Sequence, residues 1–73
     1  MINTNKLRGV IAENGLSQSE MAKLIGIAPK TFYDKMAKGV FGSDEIQIMI
    51  DTLKIEDPAA IFFAKEVTSE VTN

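Results

Sequence analysis

Ser17-Gln18-Ser19-Glu20-Met21-Ala22-Lys23-Leu24-Ile25-Gly26-Ile27-Ala28-Pro29-Lys30-Thr31-Phe32 holds two helix starts and one helix stop. Ser17 and Glu20 form S-x-x-E, in which each side chain caps the other residue's free backbone N–H at a helix N-terminus. Leu16 and Met21 occupy the two positions of a hydrophobic staple around that start. The spacing predicts a helix over Gln18–Ile25 with Met21, Leu24 and Ile25 inward. Gly26 ends it, because glycine accepts the left-handed backbone that a helix C-terminus favours. Pro29 opens the next helix at the position where its missing N–H costs nothing. Ala28 is a poor cap, so this start depends on Pro29 and on tertiary packing. The second helix is predicted from about Pro29 to Ala37, with Phe32 and Met36 one turn apart and inward, and Gly39 closing it.

Working outward, Leu7, Val10 and Ile11 have helical spacing in a segment from about Asn5 to Glu13, followed by the stop signal Asn14-Gly15. Val40, Phe41 and Gly42 read as a loop with two apolar anchors. Ser43 is expected to cap a fourth helix, with Asp44 and Glu45 in the first turn, where the helix dipole favours negative charge. Ile46, Met49, Ile50 and Leu53 form its core stripe, and Ile48 falls outside it. Asp57-Pro58 reads as cap and first residue of a short fifth helix reaching about Lys65. The polar stretch 68–73 is expected to fray as a flexible tail. The fold class is therefore all-α: a bundle of about five short helices containing a helix-turn-helix, with one domain over 1–67.

The chain has 73 residues, with neither Cys nor His. One modest core is all this length supports, so a homodimer or a partner protein is a source of further burial. Without Cys or His there is no disulfide, no thiolate metal site and none of the commonest general bases. No carboxylate pair comes with a nucleophile, a phosphate loop or a metal-ligand spacing, so the expectation is no enzyme, no cofactor and no metal. The longest apolar run, Pro58 to Ala64, is too short to cross a membrane. Asn3-Thr4-Asn5-Lys6 shows no secretory pattern, and the expected location is the cytoplasm. Residues 1–42 carry six basic against three acidic side chains, and 43–73 carry two against seven. That places a basic face against an acidic back, on a chain whose pI of about 4.9 is low for a DNA-binding domain.

Two helices joined at Gly26 make the pattern of a helix-turn-helix. Ala22 is small enough to let them approach, and Ile27 and Phe32 are expected to bury beneath the pair. The run Ser17 to Ile27 resembles the core of the Cro/repressor (XRE-type) helix-turn-helix family, over roughly residues 5 to 55. Lys30-Thr31-Phe32-Tyr33-Asp34-Lys35-Met36, with Ile61-Phe62-Phe63-Ala64, is similar to a subgroup of very short temperate-phage regulators. These act in lysogeny switches, as Cro-like repressors or as modulators of a partner repressor. The resemblance implies a lambda-repressor-like fold. It also implies that Gln18 contacts a phosphate, that Pro29, Lys30 and Thr31 are the first exposed positions of a recognition helix, and that Asp34 faces the groove. Pro29 stands where many relatives carry a polar reader such as Gln. Asp34 can accept from cytosine N4 but repels phosphates.

The leading expectation is a phage-type transcriptional regulator that binds double-stranded operator DNA. Its site would comprise Gln18, Pro29, Lys30, Thr31, Tyr33, Asp34, Lys35 and Lys38. Lys30 and Thr31 would reach base edges, while Gln18, Lys35 and Lys38 hold phosphates. The three lysines also fit a solvated surface helix, and Tyr33 fits either a half-buried ring or a contact residue. The alternative function is a modulator or antirepressor that binds a phage repressor protein and alters its hold on the operator. Ile48, Phe62 and Phe63 are the candidate partner or dimer interface, because adjacent phenylalanines on a helix diverge by about 100° and cannot both face one core. The competing reading is that the tail covers them.

The capping box gives a direct test of the stretch that decides the fold. Glu20→Ala is expected to lower stability by about 0.5–1 kcal/mol, read as a lower urea midpoint. A midpoint equal to wild type would show that the box does not form.

Overall fold

The structure, a computed structural model, describes residues 2–63. In chain order the helices are α1 (Thr4–Glu13), α2 (Gln18–Ile25), α3 (Pro29–Lys38), α4 (Ser43–Leu53) and α5 (Pro58–Phe62). No strand occurs among the described residues. The domain boundary at 67 and the tail lie outside the described residues. The fifth helix, expected to reach about Lys65, instead ends at Phe62, with Phe63 as its cap at φ −126°, outside helical geometry.

The start of α2 forms as its sequence predicts. The Ser17 hydroxyl accepts from the Glu20 N–H at 3.0 Å, and the Glu20 carboxylate accepts from the Ser17 N–H at 2.8 Å. At the other end Gly26 sits at φ 94°, a left-handed conformation that a side chain would strain. This lets the N–H groups of Gly26 and Ile27 both return to the Ala22 carbonyl, at 2.9 and 3.0 Å. The chain then reverses through Ile27 and Ala28 into α3, whose first residue is Pro29 and whose cap makes no side-chain hydrogen bond. The start of α3 is therefore held by proline geometry and packing.

α2 and α3 pack closely against each other, α2 also packs on α4, and α1 contacts both α2 and α5. One core joins all five helices: Leu7 and Ile11 from α1, Met21 and Ala22 from α2, Phe32 and Met36 from α3, Met49 and Leu53 from α4, and Ile61 and Phe62 from α5. Ala22 is fully buried, in keeping with a small residue where two helices approach. Ile25, Ile27, Ile46 and Ile50 are partly buried and pack against this core.

Several residues depart from expectation, each for a local reason. Leu24 is 51% exposed instead of inward. It lies about 60° beyond Met21 on the side away from Ala22 and Ile25, so the buried arc ends before it. Of the two loop anchors, Phe41 is buried and Val40 is 64% exposed. Gly42, and not Ser43, is the cap of α4; Ser43 is the first helical residue. Glu45 reaches back to accept from the Gly42 N–H at 2.7 Å, so that end is satisfied without a serine side chain. Asp57 holds the cap position of α5, but its side chain makes no capping bond. Asn3, not singled out in the sequence, caps α1 by accepting from the Lys6 N–H at 3.1 Å. Its own N–H donates to the Ile61 carbonyl at 2.7 Å, which ties the N-terminal segment to α5 and buries Ile2.

Phe62 was expected at an interface and instead lies in the core, 3% exposed, while the next residue, Phe63, is 64% exposed. Phe62 is the last residue of α5 and Phe63 its cap, where the backbone leaves the helix at φ −126°, so the two rings part at the helix end. Phe62→Ala is accordingly expected to cost about 3–5 kcal/mol, a large share of the stability of so small a domain. Phe63→Ser should leave the thermal midpoint near wild type. Equal losses in the two variants would place both rings in the core.

Candidate functional site

The outward face of α3 follows from its buried one. Phe32 and Met36 face the core. At about 100° per residue, Asp34 lies opposite their midpoint. Lys30 and Lys38 fall about 40° to either side of Asp34, and Thr31 and Ala37 about 60°. All five are exposed. The ridge is thus a carboxylate between two ammonium groups one turn away in each direction. Neither lysine bridges to Asp34; the one salt bridge among the described residues lies elsewhere.

The flanks of α3 differ. Tyr33, on one side, is 49% exposed. Its ring stands edge-on to Phe32 with centroids 6.5 Å apart, so it is anchored to the core on one edge and open to solvent on the other. Lys35, on the opposite flank, turns toward α4. Its ammonium donates to both oxygens of Glu45, at 2.9 and 2.7 Å. The side chains of Lys35 and Glu45 are 32% and 14% exposed. Of the other expected site residues, Gln18 is half-buried as the first residue of α2, and Pro29 is half-buried as the first of α3. Ile48 is half-buried on the flank of α4.

Lys30, Thr31, Tyr33, Asp34 and Lys38 therefore share one exposed surface. Lys35 is diverted from it. Glu45, read from the sequence only as a dipole-favoured residue, emerges as the partner of Lys35. No periodic signal could have paired them, because the two are brought together by the turn at Gly39 and the loop through Phe41. Burial pushes the Glu45 carboxyl up. The hydrogen bond from Lys35, the Gly42 N–H and the Lys35 charge outweigh that effect and hold it below the ordinary glutamate value.

Elsewhere, an open groove of about 320 Å³ runs between α1 and the α4–α5 connection, floored by Val10, Leu53 and Ile61 and edged by Lys6, Glu13 and Lys54. None of its walls comes from α2 or α3. Among the described residues no group of carboxylates converges as a metal site would, and no helix is long and apolar enough to cross a membrane. Comparison of the chain with family profiles, curated proteins and solved structures gives no match.

The Lys35–Glu45 pair makes stability depend on pH. A carboxylate held below its unfolded value stabilises fully above that value, about 4.3 for glutamate, and the contribution is lost as pH falls through the folded value. The stability difference between wild type and Glu45→Gln should be constant near neutrality and shrink below about pH 5. Urea titrations of both proteins across pH check this. A difference that persists unchanged to about pH 3 would show that the carboxylate charge is not what Lys35 holds.

Proposed function

We propose that this chain is a transcriptional regulator of a phage-type genetic switch, and that α2, its turn and α3 form a helix-turn-helix that docks on operator DNA. The observation that carries this reading is the face of α3. It is a helix fixed from below by Phe32 and Met36, with Lys30, Thr31, Asp34 and Lys38 all free for contact. Recognition helices of this class lie in the major groove, with residues near their N-terminus reaching base edges. Lys30 suits the acceptor pair of a guanine, Asp34 the amino group of a cytosine, and Lys38 a phosphate further along. On this reading Gln18, the first residue of α2, meets the backbone that the first helix of such a pair crosses. A domain with so few contacts gains useful affinity as a homodimer on two half-sites.

A second reading is a modulator that binds a partner repressor and alters its hold on the operator. The observation favouring it is Asp34 at the middle of the α3 ridge, with Lys35 committed to Glu45. That leaves a face weaker toward a polyanion than its lysine count implies. Phe63, 64% exposed, would then form part of the partner surface.

Mobility shift separates the two readings. Protein alone should retard operator duplex under the first. Under the second, a shift should appear or vanish only when the repressor is also present. Lys30→Ala is expected to weaken specific binding by about 1–3 kcal/mol and to relax sequence preference. Unchanged affinity and preference would mean that α3 is not the reader.

A further inference from the structure

We propose that Glu45 is a positioning residue that holds Lys35 off the exposed ridge of α3, so that Lys30 and Lys38 alone carry the positive charge α3 offers a phosphate backbone. The inference rests on the operator-DNA reading above and adds a control on it.

Three contacts define the arrangement. Both oxygens of Glu45 accept from the Lys35 ammonium, at 2.9 and 2.7 Å. One of those oxygens also accepts from the Gly42 N–H at 2.7 Å. The carboxylate is thus fixed by the backbone at the start of α4 before it meets Lys35. Its side chain is the more buried of the two, 14% exposed against 32%. The carboxylate is therefore the fixed element and the lysine the one that is drawn in. On the helix, Lys35 lies about 100° from Asp34, close enough in angle for a long flexible stem to swing its ammonium toward the ridge. A lysine held away from the phosphates displaces no counterion from the DNA, so a held Lys35 adds nothing to the salt dependence of binding. Freeing it would add one phosphate contact.

Glu45→Gln removes the negative charge while its amide oxygen can still accept from the Gly42 N–H, so the start of α4 is preserved. Thermal melts confirm folding before binding is measured. The test follows DNA affinity against salt for wild type, Glu45→Gln, Lys35→Gln and the double variant. The expected result is that Glu45→Gln binds duplex more tightly at low salt. Its log–log salt slope should be steeper by about 0.9 per bound protomer, equivalent to losing about 3.5-fold more affinity per protomer over a fourfold rise in salt. Lys35→Gln and the double variant should both keep the wild-type slope. A Lys35→Gln slope shallower by about 0.9 per bound protomer, with Glu45→Gln unchanged, would show that Lys35 already contacts phosphate and would overturn the proposal alone. Wild type that leaves duplex unretarded even at low salt would overturn the operator reading and this control with it.

Discussion

The ring of Phe32 lies fully out of water on the inner face of α3, with the ring of Phe41 5.4 Å away and tilted by 53°. Around it the core gathers Met21 and Ala22 from α2 and Met49 from α4, all fully buried. Burying an aromatic side chain contributes about 1.5–3 kcal/mol, a large fraction of what a domain of this size has to spare. The orientation of α3 follows from that burial. Once Phe32 and Met36 point inward, Lys30, Asp34 and Lys38 have no choice but to point outward. Phe41 extends the constraint past Gly39 and brings the start of α4 beside the flank of α3. The Lys35–Glu45 pair is a consequence of that return.

The sequence was most legible where backbone chemistry is local. Ser17, Glu20, Gly26 and Pro29 each act within one turn of where they stand, and α2 runs over the residues they predict. Legibility fell where several residues could serve. Gly42 and Ser43 are both acceptable before an acidic first turn, and the side chain of Glu45 decided between them by bonding to the Gly42 N–H. Leu24 was misplaced because a helix of two turns has too few apolar residues to define the centre of its buried arc. Ile2 was invisible for another reason: it is buried because Asn3 bonds to Ile61 at the far end of the chain.

For the site, the helical period was enough to put Lys30, Thr31 and Asp34 on one face and Phe32 and Met36 on the other. It could not reveal that Lys35 is occupied. Positions ten apart across a loop share no period, and a run of lysines on a helix reads as uniformly available charge. The adjacent pair Phe62-Phe63 had the same ambiguity in apolar form. Read as one helix, the pair has to part; in the structure α5 ends between the two residues, and its packing on the rest puts Phe62 in the core.

The account turns on α3 as the acting surface, and amide chemical-shift mapping addresses that most directly. Isotope-labelled protein would be titrated at low salt with a pool of short duplexes of mixed sequence. The account predicts shifts concentrated at Lys30, Thr31, Asp34 and Lys38, with Gln18 at the margin and the α1–α4 groove silent. Shifts confined to Phe63 and the acidic side of α4, or no shifts at all, would contradict it.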